Sequence, residues 1–206
     1  MRIDKNKFAK AYLEKIKSLC EQIDINQIVN VIKILEKKLR TGRTIFIAGN
    51  GGSAATASHM VCDLGKTILG KEPTTKNRRF RIISLSDNIP LLTAIGNDWK
   101  YETIFSEPLK NLGQKGDLLL VITGSGNSQN IIKAVQTAQK LKMKTTAFLG
   151  FDGGKVKEMV DAYVLVPSNE YGPIEDFHLI FNHLITNYFY ETEKKKGGIP
   201  RPRRNH

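Results

Sequence analysis

Apolar residues along this chain follow two rhythms. Near the N-terminus they recur at helical spacing: Ile25, Ile28, Val29, Ile32 and Leu35 mark one face of a helix over 25–41. Asp24 stands where an N-cap is needed and Gly42 where a helix stops. Another amphipathic helix precedes it over 3–20. From residue 43 the rhythm changes. Thr44-Ile45-Phe46-Ile47-Ala48 and Leu118-Leu119-Leu120-Val121-Ile122 are apolar throughout, the pattern of parallel strands buried on both faces. Strands are predicted over 43–48, 80–85, 117–122, 145–149 and 162–166. Helices are predicted over 53–69, 88–97, 101–112, 128–142, 153–160 and 174–192. This alternation predicts an α/β fold, a doubly wound, five-stranded parallel sheet with helices on both faces. The N-terminal helices fall outside that wrap, and their apolar stripes need a partner. The division expected is therefore 1–42 as an oligomer contact, 43–193 as the α/β domain and 194–206 as a flexible basic tail.

Ligands of such sheets sit at the carboxyl ends of the strands. Two polar loops fall there: Gly49-Asn50-Gly51-Gly52-Ser53 and Thr123-Gly124-Ser125-Gly126-Asn127-Ser128. Each links a strand to a helix, so free N–H groups and the positive end of a helix dipole meet hydroxyls at one place. The pair points to a phosphorylated ligand. Neither loop carries the dinucleotide or P-loop pattern, which argues against nucleotide binding.

Composition narrows the class. The 206 residues are 40% hydrophobic and 25% charged, ordinary for a globular protein. No run approaches the roughly 20 apolar residues that span a bilayer, and the first residues lack a signal-peptide core. A cytoplasmic location is expected, with no membrane partner. Cys20 and Cys62 form no disulfide framework; Cys62 reads as a helix core residue. The net charge is +12, and six of the excess cations lie in the tail at Lys194, Lys195, Lys196, Arg201, Arg203 and Arg204. A solvated tail plus attraction for anionic substrates accounts for the charge without a nucleic-acid partner. Trp99 and Tyr101 read as packing residues.

The ionisable residues gather on two helices. His59 and Asp63, four apart, share a face, a spacing that suits a metal or a plain surface hydrogen bond. The last helix carries Glu175, Asp176, His178 and His183 within or beside the apolar run Phe177, Leu179, Ile180, Phe181, Leu184, Ile185. Polar groups there must be paired, liganded or at a cleft. Glu175 and His183 are about 80° apart around the helix and can share a face, whereas His178 lies about 140° from His183.

The ordered set Gly49-Asn50-Gly51-Gly52-Ser53-Ala54-Ala55, His59, Gly96-Asn97-Asp98, Ser125-Gly126-Asn127-Ser128 and Gly153-Gly154-Lys155 resembles the sugar isomerase (SIS) domain. Within it the pattern is most similar to the phosphoheptose isomerases, over roughly residues 5–192. The resemblance implies a flavodoxin-like sheet and a homotetramer with sites at subunit interfaces. It also implies a sugar phosphate held by Ser53, Ser125 and Ser128, with Asn50, Gly51, Gly52, Thr123 and Asn127 beside them. Asp98 matches an Asp that shapes the family site. The family's first helix supplies a His and a Glu, here His59 and Asp63; its last helix supplies a Gln and a His, here Glu175 and His183. In several members these four positions bind zinc. A family Arg is replaced by Thr67, with Lys66 adjacent, and Gly172-Pro173 replaces an acidic–basic pair.

Asp63 is one methylene shorter than Glu, and Glu175 adds an anionic oxygen that Gln lacks. The implied reaction is aldose–ketose isomerisation of sedoheptulose 7-phosphate through an enediolate. Asp63 or Glu175 would be the base and His183 the acid at O1/O2. Zinc on His59, Asp63, Glu175 and His183 would be a Lewis acid. The product would supply heptose for lipopolysaccharide, capsule or S-layer glycans. The alternatives are another sugar phosphate as substrate, or a non-catalytic SIS regulator of the sugar-phosphate-sensing or DnaA-associating kind.

Overall fold

The computed structural model describes residues 3–71, 73–75 and 77–195. Helices α1 (Lys5–Gln22) and α2 (Ile25–Thr41) come first, then β1 (Thr44–Gly49) and α3 (Gly52–Gly65). There follow β2 (Arg81–Ser84), α4 (Ile89–Asp98), α5 (Ser106–Leu112), β3 (Leu118–Thr123) and α6 (Gln129–Lys140). The chain ends with β4 (Lys144–Leu149), α7 (Gly154–Lys157), β5 (Ala162–Leu165) and α8 (Tyr171–Lys195). The predicted cap and stop of α2 are both present. Asp24 accepts from the Asn26 N–H at 2.8 Å, and Gly42 turns left-handed at φ 63°. The predicted helix over 101–112 is broken, with a 3₁₀ turn at Tyr101–Thr103 ahead of α5, and α7 is a single turn within the predicted 153–160.

All five strands are parallel, in the order β2-β1-β3-β4-β5. This is the flavodoxin-like order, with its switch point between β1 and β3. Alternate residues of each strand feed opposite layers. Ile45, Ile47, Leu118, Leu120, Ile122, Phe148 and Val164 pack beneath α2, α3 and α8, together with Leu35, Met60, Leu64, Phe177 and Phe181. Phe46, Ala48, Leu119, Val121, Ala147 and Leu149 pack beneath α4, α5 and α6, with Ile95, Leu109, Ile131 and Val135. β2 is an edge strand of four residues, and its Ile83 is exposed.

Two expectations are corrected. α2 belongs to the wrap: Ile28, Val31 and Leu35 are core residues, and the Gln27 side chain accepts from the Leu165 N–H of β5 at 2.9 Å. Ile28 and Leu35 of its stripe face the sheet, while Ile25 and Val29 stay exposed. α1 is the more peripheral helix, anchored by Leu19 yet exposing Phe8 and Leu13. Cys62 is exposed, because α3 turns Thr56, Met60, Asp63 and Leu64 inward instead. Lys194 and Lys195 close α8; the rest of the predicted tail, from 196, lies outside the described residues. No helix among the described residues is long and apolar enough to cross a membrane.

Candidate active site

The switch point places the ends of β1 and β3 side by side, with Gly49 in register with Ile122. Both predicted loops therefore open into one place. Gly51 holds φ 54° at the N-cap of α3, and Ser128 is the N-cap of α6; neither makes a side-chain capping bond. The Ser53 N–H donates to the Asn50 carbonyl at 3.0 Å and the Ile131 N–H to Asn130 Oδ1 at 2.9 Å. The amides these loops leave for an external acceptor are therefore those of Gly52, Gln129 and Asn130. Two amides fasten the loops together. Asn50 Nδ2 donates to Asn130 Oδ1 at 2.9 Å, and Asn130 Nδ2 donates to Asn50 Oδ1 at 2.8 Å. A cavity of 110 Å³ between the loops is lined by Asn50, Ser53, Thr123, Ser125, Ser128 and Glu175, among others.

Thr123 Oγ1 accepts from the Gly126 N–H at 3.3 Å, and Ser125 Oγ accepts from the Asn127 N–H at 3.3 Å. These bonds hold the second loop in a tight curl. The curl is close-packed: a Cβ on Gly126 would come within 1.9 Å of the Gly153 carbonyl. Asn127 also accepts from the Lys155 N–H at 3.2 Å, which links the loop to α7.

His59, Asp63 and His183 form the second half of the site. Their nitrogen and oxygen donor atoms all lie within 4.8 Å of one another. His59 Nε2 is 3.4 Å from Asp63 Oδ2 and 3.4 Å from His183 Nε2; His183 Nε2 is 3.9 Å from Asp63 Oδ2. The two imidazoles are exposed, while Asp63 is 8% exposed. Burial requires that a carboxylate be satisfied, and here both oxygens are. Asn182 Nδ2 donates to Oδ2 at 2.9 Å, and Thr67 Oγ1 donates to Oδ1 at 3.2 Å.

Glu175 is not in this group of three. It stands two turns earlier on α8 than His183, where its carboxylate covers Gly52: a Cβ there would lie 2.7 Å from Glu175 Oε2. Asp98, unlike Glu175, does not line the cavity; it is exposed at the end of α4 and accepts from Asn97 Nδ2 at 2.8 Å. His178 is fully buried, its Nε2 bonded to the Leu149 carbonyl at 3.2 Å, and burial pushes its pKa down to about 4. It is a neutral core residue. Trp99 and Tyr101 are exposed, contrary to the packing expectation, and the Tyr101 hydroxyl donates to Asn50 Oδ1 at 3.3 Å. Lys66 is exposed.

Sequence reasoning passed over Asn182, Asn130 and Tyr171. Asn182 carried a usable signal, a polar side chain inside the apolar run of α8 and directly before His183. Tyr171 lines the cavity from the start of α8, its ring 3.1 Å from where a Cβ on Gly124 would stand.

Residues 11–150 match the SIS domain family. Among curated relatives, a phosphoheptose isomerase of Aliarcobacter butzleri is 37% identical over 183 residues, covering 88% of this chain and 94% of that protein. A solved phosphoheptose isomerase from Francisella tularensis superposes with a TM-score of 0.83 at 26% identity, covering 92% of this chain and 100% of that one. The phosphoheptose isomerase GmhA of Neisseria gonorrhoeae gives 0.80 at 29% identity, covering 90% and 98%.

Proposed function

The chain belongs to the SIS-domain family and, within it, to the phosphoheptose isomerases, and from that premise we propose how its residues divide the work. The reaction is isomerisation of a phosphorylated sugar, consistent with sedoheptulose 7-phosphate as ketose and D-glycero-D-manno-heptose 7-phosphate as aldose. The regulator alternative is not favoured.

The phosphate sits between the two loops, against the Ser53, Ser125 and Ser128 hydroxyls and the first amides of α3 and α6. Binding energy from this remote group orients the reacting carbons. Glu175 is the base. Its carboxylate reaches over Gly52 at the edge of the loop cavity, whereas Asn182 and Thr67 hold Asp63 turned toward the two imidazoles, the orientation of a ligand. Glu175 removes a proton from C1 of the open-chain ketose, the electron pair moves into a C1–C2 double bond, and the enediolate results. The same carboxyl returns the proton to C2, while the hydroxyl proton passes from O1 to O2. A single carboxylate in that role contributes about 10²–10⁴ in rate.

Two imidazole nitrogens and one carboxylate oxygen within 4.8 Å fit a divalent cation such as zinc. His59, Asp63 and His183 would hold it, and when bound it supplies Lewis-acid polarisation of the carbonyl and hydroxyl oxygens. Ligation occupies the same Nε2 that an acid would use, so His183 serves as ligand in this scheme. The exposed apolar residues of α1 and α8 form the contacts of a homotetramer, and the product feeds heptose supply for surface glycans.

The observation that carries this reading is the His59–Asp63–His183 group standing beside a two-loop anion cavity that Glu175 lines. The test is turnover of sedoheptulose 7-phosphate by purified protein, treated with EDTA and then given zinc. Loss with EDTA and recovery with zinc are expected. Full turnover in chelator removes the cation from the scheme, and no turnover in either condition, with the protein folded, overturns the substrate.

A further inference from the structure

A second cavity, 270 Å³ in volume, lies at the opposite end of the sheet from the loops, between α2, the segment ahead of β2 and the C-terminal half of α8. Lys33, Lys37 and Arg40 line it from one face of α2, and Arg78 joins them from the segment ahead of β2. The floor is firm. Phe189 is buried and packs edge-on against Phe80 at 5.0 Å. The Arg78 N–H donates to Glu193 Oε2 at 3.4 Å, and the buried Glu193 fastens that wall to α8.

The charges in this cavity do not balance. Lys15, Lys110, Lys133, Lys144 and Lys194 each pair with a carboxylate. Among the described residues, the side chains of Lys33, Lys37, Arg40 and Arg78 have no such partner. The one carboxylate in the lining, Glu36, already accepts from the Tyr188 hydroxyl at 2.5 Å. Four lining cations, against Glu36 in the lining and Glu193 buried behind it, focus a positive field in a concave wall. The volume falls just short of the range of about 300–1,000 Å³ for drug-sized ligands, so a small metabolite fits. A polynucleotide backbone would need an open stripe. We propose that this cavity binds a small organic anion carrying two phosphate groups, at a site separate from the sugar-phosphate pocket and reaching the same helix that carries Glu175 and His183.

Calorimetry on the full chain with hexitol 1,6-bisphosphate, which lacks the carbonyl needed for turnover, reads both pockets. Binding to two separable sites is expected. Ser125→Ala with Ser128→Ala removes one. Lys37→Glu with Arg40→Glu weakens the other about tenfold or more, the scale of lost charge-assisted contacts, and leaves sedoheptulose 7-phosphate turnover and circular dichroism unchanged. If the double reversal impairs folding, Arg78→Gln, outside the helices, gives the same reading. A single site that vanishes in the loop variant overturns the proposal. A second site indifferent to these cations also overturns it, as does a duplex oligonucleotide that binds there and is not displaced by the bisphosphate.

Discussion

Asn182 donates its side-chain N–H to Asp63 Oδ2 at 2.9 Å, the same oxygen that lies 3.4 Å from His59 and 3.9 Å from His183. With Thr67 on the other oxygen, the carboxylate is held in one rotation and presented to both imidazoles. A side chain this short cannot search for its partners, so its supports decide where it points. Asn182→Leu removes the donor while filling the buried space. We expect zinc affinity and kcat to fall about 10–100-fold, the range for supports of metal ligands, with KM nearly unchanged. Chelator competition and steady-state kinetics check this, and wild-type zinc affinity in the variant would show that Asn182 only fills space.

Gly52 and Glu175 give a second test. An added Cβ at residue 52 lies 2.7 Å from Glu175 Oε2, and that carboxylate is the far end of a flexible side chain. Gly52→Ala should displace it without unfolding α3. The expected result is a large fall in kcat with an unchanged melting temperature. Glu175→Gln should cost about 10²–10⁴ in kcat and leave sugar-phosphate binding intact.

His178 makes stability depend on pH. Its folded pKa is about 4, below the ordinary 6.5, because burial disfavours the charged ring. The unfolded chain therefore binds the proton more readily than the native one. The stabilising effect is fully present above pH 6.5 and is lost as pH falls toward 4, up to roughly 3 kcal/mol. Urea unfolding between pH 4.5 and 7 should show a steeper pH slope for the wild type than for His178→Leu. Equal slopes would mean that His178 is not the titrating group.

Ile180, Leu184 and Tyr188 recur every fourth residue on α8 and are each about 40% exposed, while Phe8 and Leu13 of α1 are more exposed still. This is the surface expected to join subunits. Leu184→Lys should lower the mass seen by light scattering and reduce turnover, with the far-ultraviolet spectrum preserved. A wild-type mass in that variant, and in Phe8→Glu, would place the subunit contact elsewhere.

The local code of this fold is easy to read and its long-range pairing is not. The central strands β1 and β3 were legible because burial on both faces leaves continuous apolar stretches such as 118–122. The adjacency of β1 and β3 came only through the family resemblance, which implied a flavodoxin-like sheet, since neither strand carries anything that selects its neighbour. The stripe of α2 was read correctly as apolar, but its packing on the sheet at Ile28 and Leu35 was not foreseen. A helix facing a sheet and a helix facing another chain have the same period. Spacing rightly set His178 apart from His183. It also put Glu175 and His183 on one face, but could not say that the Glu175 carboxylate reaches over Gly52. Asp63 and Asn182 meet across 119 residues of chain, a distance over which no local pattern speaks.

The strand order has a mechanical consequence. α3 packs on one face of the sheet with Met60 and Leu64, and α6 on the other with Ile131 and Val135, yet the N-termini of both helices open on the same gap, where Asn50 and Asn130 meet. A phosphate seated there is a keystone that bridges two otherwise separate hydrophobic layers. Loading the site does more than add a contact at the rim. It couples the opening of one layer to the opening of the other, so saturating ligand should slow amide exchange beneath α3 and α6 together.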